Sequence, residues 1–178
     1  MHRKLAVLAA LAVMLLSTSA GFAQTLSPPT TSSDSVALFE GQQIDLSQGW
    51  GEAQACFVDE AVGDVECFRD RADLYARESQ LETTVSPLVT CSSPLRLFAD
   101  ASYGGRELDF YDRGYWQNLS TWSFDNQLSS YKVGACGVYL AENANGGGSL
   151  YPGNTSAGHD EPSMLSGWND RVSSIYIR

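Results

Sequence analysis

The sequence predicts a mainly β chain, with a double Greek-key sandwich in its C-terminal half and a small α+β module before it. Three observations carry this reading. Residues 98–105 resemble 140–147 at an offset of 42, and residues 125–130 resemble 169–174 at an offset of 44. Turn residues cut the chain around those segments into pieces of strand length rather than helix length. Arg69 to Leu81 runs on without glycine or proline, with Ala72, Tyr75 and Ala76 at helical spacing.

The elements follow in order. Met1 to Lys4 carries two positive charges, Leu5 to Leu16 is an unbroken apolar run, and Ser17 to Ala23 supplies small residues. That order is a secretory signal peptide, expected over residues 1–23. The apolar run is too short for a bilayer, which needs about 20 residues. The mature chain is therefore expected to be secreted and soluble. Residues 24–35 are rich in Ser, Thr and Pro and read as a disordered leader. Residues 36–82 form the α+β module: strands at Val36 to Phe39 and Gln43 to Leu46, a hairpin of Gln54 to Val58 with Val65 to Phe68 around Gly63-Asp64, then the helix. Residues 83–90, with Pro87, read as a linker. Residues 91–178 hold the two repeats, 91–133 and 134–178, which end in strands at Tyr131 to Val133 and Ile175 to Ile177. Two equivalent all-β units can each cover the apolar face of the other.

Charge and cysteines narrow the function. The signal peptide contains Arg3 and Lys4 but no acid, so its removal takes the net charge from −10 to −12. Such a chain is repelled by nucleic acid and by anionic membranes, and attracts cations. The four cysteines allow three disulfide pairings. Cys56–Cys67 would staple the predicted hairpin. Cys91–Cys136 would join the starts of the equivalent strands Leu95 to Phe98 and Gly137 to Leu140. His159 is the only histidine left after processing, so zinc sites and hydrolytic triads lack ligands and bases. Asp109 and Asp112 read as a strand edge running into a turn, and no other residue supports glycoside chemistry. Most of Tyr115, Trp116, Trp122, Phe124 and Trp168 are expected in the core. No residue pattern points to an enzyme.

Phe98, Tyr103 and Gly105 form an aromatic-x4-aromatic-x-Gly pattern, and Asp125 to Ser130 and Asn169 to Ser174 are each Asn/Asp-Asn/Asp-x-x-Ser-Ser. In these features the C-terminal half, about residues 91–178, resembles the βγ-crystallin family. The resemblance implies two calcium ions held in paired clamps. Asn126 and the Gln127 carbonyl would bind one ion together with Ser173. Asp170 and the Arg171 carbonyl would bind the other together with Ser129. Asp125 and Asn169 open the two motifs, and hairpin residues near Asp100 and Glu142 would add carbonyls. Ser130 and Ser174 would bond the hairpins back onto the sheet. Calcium takes six to eight oxygen ligands, and few carboxylates mean weak sites, on the order of 10⁻⁵ to 10⁻³ M. Leu140 and Asn145 stand where the family prefers aromatics, so the second hairpin is expected to be looser. The implied function is a secreted calcium-binding protein whose ions mainly stabilise the fold. A secreted metalloprotease inhibitor on the same fold, or an adhesive or carbohydrate-binding surface module, are the alternatives. An extracellular protease or a glycan would then be the partner. Oligomeric state is left open by the residues.

Overall fold

The computed structural model describes residues 35–59, 64–81 and 90–178. The expected signal peptide, the leader up to residue 34, the 60–63 turn and residues 82–89 of the linker region lie outside these described residues. In chain order the elements are β1 (Val36–Phe39), β2 (Gln42–Asp45), β3 (Ala55–Asp59), β4 (Asp64–Phe68), α1 (Arg71–Leu81), β5 (Thr90–Asp100), β6 (Gly104–Asp112), β7 (Trp116–Asn118), β8 (Ser130–Lys132), β9 (Val138–Ala141), β10 (Asp160–Glu161) and β11 (Ser174–Ile177).

Two sheets result, ordered β10-β8-β5-β6-β3-β4-β1-β2 and β7-β11-β9. Each repeat lends a strand to the other: β7 of the first lies in the three-stranded sheet, and β10 of the second lies in the large one. Alternation along β5 and β6 turns Leu95, Leu97, Leu108 and Phe110 inward. There they meet Trp122, Phe124, Tyr131, Leu140, Val172 and Ile175 in one buried core. Of the five aromatics named from sequence, Trp122, Phe124 and Trp168 are buried, Trp116 is half-buried and Tyr115 is exposed.

The N-terminal strands continue this sheet. β3 runs parallel to β6, with Cys56 opposite Leu108 and Val58 opposite Phe110. Trp50 enters the same core, its ring tilted against Phe124 and its indole N–H donating to the Trp122 carbonyl at 2.6 Å. Thr90 already begins β5, a strand of 11 residues. Both disulfides form as expected: Cys56–Cys67 across the β3–β4 pair, and Cys91–Cys136 over a separation of 45 residues.

Helix α1 has a buried face different from the one its apolar spacing indicates. Ala72, Tyr75 and Ala76 are exposed, while Leu74 and Glu78 are buried. Asp70 caps the helix by accepting from the Asp73 N–H at 3.0 Å. The helix docks through Leu74, which joins Ala55, Phe57 and Tyr111 in a second apolar cluster, and through charge, with Arg77 bonded to Glu66 of β4 and Arg71 to Glu107 of β6. That docking also corrects the reading of Asp109. It lies not at a strand edge but in a central strand, fully buried between β5, β3 and the helix.

Candidate metal centre

Each Greek key opens with a folded hairpin, and one serine pins each. Ser130 Oγ donates to the Asp100 carbonyl at 2.6 Å and accepts from the Tyr103 N–H at 3.0 Å. Ser174 Oγ donates to the Asn143 carbonyl at 2.6 Å and accepts from the Gly146 N–H at 3.0 Å. Ser102 and Asn145 share left-handed backbone angles, φ 56 and φ 54. The hairpins therefore match at an offset of 43 rather than 42, so Asp100 corresponds to Asn143, and Glu142 to Ala99. The second hairpin keeps the same two serine hydrogen bonds as the first. In the first, Phe98 and Tyr103 pack edge to face at 5.5 Å. Their counterparts are Ala141 and Gly146, and Trp116 from β7 fills the vacated space. A Cβ on Gly146 would lie 2.3 Å from the Trp116 ring.

The two motifs sit next to each other, related by an approximate two-fold axis. Asn126 and Asp170 occupy the left-handed region, φ 55 and φ 54, which Asn and Asp tolerate better than most residues. The Asn126 N–H donates to the Val172 carbonyl and the Asp170 N–H to the Leu128 carbonyl, both at 3.1 Å. These bonds cross from one motif to the other. The side chains cross as well: Ser129 Oγ donates to Asp170 Oδ1 at 3.3 Å, and Ser173 Oγ to Asn126 Oδ1 at 3.4 Å. Both contacts are long for hydroxyl donors, so the oxygens cluster without closing tightly on each other. Asp125 and Asn169 orient the neighbouring ligand candidates, through Asn126 Nδ2 to Asp125 Oδ2 at 2.9 Å and Asn169 Nδ2 to Asp170 Oδ2 at 2.7 Å.

The hairpins complete each cluster. The Ser129 N–H bonds the Phe98 carbonyl and the Ser173 N–H bonds the Ala141 carbonyl, so Ala99 and Glu142 follow directly beside the serines. The carbonyls of Asp100 and Asn143 are taken up by Ser130 and Ser174. Ala99 falls at a register shift between β5 and β6, outside the regular ladder. Ala99 is thus the hairpin position equivalent to Glu142, a match that the repeat comparison missed by one residue. Asp100 instead folds its carboxylate over Gly105.

Two arginines border the clusters. Arg106 bonds Gln127 Oε1 and lies 5.0 Å from the Trp50 ring, and Gln127 Nε2 donates to the Ser123 carbonyl at 2.9 Å. Arg171 reaches Glu142 Oε1 at 2.6 Å, and this bond holds the Glu142 carboxyl below its usual range. Each motif contains one carboxylate, Asp125 in the first and Asp170 in the second. Among the described residues, no group of three or more His, Cys, Asp or Glu could hold a metal ion. Any cation here would rely on amide, hydroxyl and carbonyl oxygens with at most one carboxylate, a donor set that suits hard calcium and not zinc.

Residues 91–178 have a βγ-crystallin-like fold. No family model and no curated protein matches the chain. Among solved structures, the chain is similar to a βγ-crystallin from Ciona intestinalis at 20% identity, with 48% of this chain and 99% of that one covered and a TM-score of 0.41. A βγ-crystallin domain from Clostridium beijerinckii is similar at 26% identity, with 47% and 95% covered and a TM-score of 0.40. The N-terminal domain of Protein S is similar at 21% identity, with 48% and 96% covered and a TM-score of 0.41. Helix α1 grips the βγ-crystallin-like half at its first hairpin. Arg71 Nη1 and Nη2 donate to the Tyr103 and Gly105 carbonyls at 2.7 and 2.5 Å.

Proposed function

We propose that this is a secreted calcium-binding protein in which two ions tie together the two Greek keys and stabilise the fold. The observation that carries the reading is the crossed contact of Ser129 with Asp170 and of Ser173 with Asn126. Each cluster then draws oxygens from both motifs. One comprises Asn126, the Gln127 carbonyl, Ser173 and the Glu142 carbonyl. The other comprises Asp170, the Arg171 carbonyl, Ser129 and the Ala99 carbonyl. A bound calcium ion would supply the positive charge that lets converging oxygens approach without repulsion. The two disulfides fit an oxidising compartment, in keeping with export.

With one carboxylate in each motif and an arginine beside each cluster, the affinities belong to the weak extracellular class, on the order of 10⁻⁵ to 10⁻³ M. Calorimetric titration of the mature protein with calcium tests this directly. Two binding events in that range are expected, and a flat titration to millimolar calcium would rule the reading out.

A further inference from the structure

Beneath helix α1, the outer face of the large sheet carries charge where apolar side chains are usual. Glu107, Asp109 and Tyr111 alternate on that face of β6, all buried, and Glu78 of the helix is buried above them. Arg96 of β5 reaches three carboxylates at once. Its Nη1 lies 2.6 Å from Asp109 Oδ2 and 3.2 Å from Glu107 Oε1, and its Nη2 lies 2.7 Å from Glu78 Oε2. Glu107 has further partners, Arg71 Nε at 2.8 Å and the Tyr75 hydroxyl at 2.9 Å. Glu78 and Asp109 are less well served. One oxygen of each is held by Arg96, while Glu78 Oε1 and Asp109 Oδ1 are buried with no donor.

The cluster thus sets three carboxylates against two guanidiniums, a buried negative excess with two orphaned acceptors. Arg77 adds no net charge, because it pairs with Glu66 of β4. On β3, Phe57 lies opposite Asp109 and Asp59 lies two residues further along the same face. A buried carboxylate lacking a donor is costly, and so is an uncompensated buried charge. One proton between the two orphaned oxygens removes both defects.

We propose that Glu78 and Asp109 share a single proton, with the Asp109 carboxyl donating to the Glu78 carboxylate, and that this proton fastens helix α1 to strand β6. Burial pushes the Asp109 carboxyl well above its ordinary range; Arg96 opposes this, and Glu107 and Glu78, the latter also through a hydrogen bond, add to it. Tyr75 and Tyr111 are raised by the same burial and the same acids, so they stay neutral and leave the proton with the pair. The folded state then holds this proton more tightly than the unfolded chain does. The contribution to stability is full below the ordinary carboxylate range and is lost as pH rises through the raised value in the folded protein.

Carboxyl-carbon NMR of the mature protein, labelled at Asp and Glu, reads the shared proton without any substitution. The Asp109 carboxyl resonance is expected to titrate above the ordinary Asp value of about 3.9. Amide exchange along α1, corrected for its intrinsic pH dependence, should speed up as Asp109 titrates, by up to about tenfold per pH unit. Asp109→Asn supplies an N–H to Glu78 at every pH and should abolish that dependence. Glu78→Gln provides the reciprocal donor should the first variant fold poorly. Ordinary titration of Asp109 would overturn the proposal, as would α1 exchange with the same pH course in wild type and variant.

Discussion

Ser129 Oγ lies 3.3 Å from Asp170 Oδ1 although 41 residues separate them in the chain. The contact exists because Asp170 takes a left-handed backbone conformation and hands its N–H to the Leu128 carbonyl, one residue before the serine. The reciprocal pair, Ser173 with Asn126, rests on the matching bond from the Asn126 N–H to the Val172 carbonyl. Any ion bound at either cluster would therefore bridge two Greek keys that are otherwise joined by their core, by exchanged strands and by the Cys91–Cys136 disulfide.

Calcium should raise the melting temperature. A ligand that binds only the native state adds about 2.7 kcal/mol when present at 100 times its dissociation constant. At about 2–4 °C per kcal/mol for a chain of this size, that corresponds to a rise of roughly 5–11 °C. Differential scanning calorimetry in chelator and in saturating calcium measures it. Coincident transitions would speak against native-state binding.

The Cys91–Cys136 bridge should matter more than Cys56–Cys67. It closes a span of 45 residues against 11. The chain-entropy relation gives about 4 and about 3 kcal/mol for these loops. Replacing each pair by alanine and measuring denaturant unfolding should reproduce that order, and peptide mapping without reduction should recover both linked pairs. Equal losses would mean that chain entropy does not govern their contribution.

Gly146→Ala should destabilise the protein by about 1–3 kcal/mol, because the new methyl meets the Trp116 ring and the backbone there has φ +76. Adding Trp116→Ala should cost less in that background than in the wild type, since the smaller side chain relieves the clash. Urea melts of the two single variants and the double variant measure the coupling. Strict additivity would mean that Trp116 does not fill the place of the missing hairpin aromatic.

The same residues show what could and could not be read from the sequence. The two motifs are complete in every position, so their equivalence was visible in the repeat, while the crossing of their serines was implied by the βγ-crystallin resemblance. The hairpin register was not. Leu140 and Ala141 are both apolar, and the aromatic that would distinguish them comes from Trp116 on another strand. Asp109 looked like an edge residue because its burial depends on β3 running parallel to β6 and on α1 lying above both. Those pairings are non-local, and the helix docks through Arg71, Arg77 and Glu78, which carry no apolar periodicity. Local pattern encodes turns and alternation well, but it contains nothing about which charged faces will meet.

A double-mutant cycle on Ser129 and Asp170 tests the crossing most severely. If the two side chains serve one ion, Ser129→Ala should weaken binding at the cluster that contains Asp170 and leave the Asn126 cluster nearly intact. Asp170→Ala should weaken that same ion further, because it removes a formal charge as well as a ligand atom. Once Asp170 is gone, losing the serine should matter less, so the two effects should fall short of adding. Groups that share one coordination sphere typically couple by about 0.5–3 kcal/mol, whereas independent sites add within roughly 0.3–0.5 kcal/mol. Site-resolved calcium titration of both single variants and the double variant provides the four affinities. Ser173→Ala serves as the control, since its partner is Asn126 and its effect should add to that of Asp170→Ala. Additivity for Ser129 together with coupling for Ser173 would reverse the assignment of serines to ions, and additivity for both would mean that each motif binds on its own.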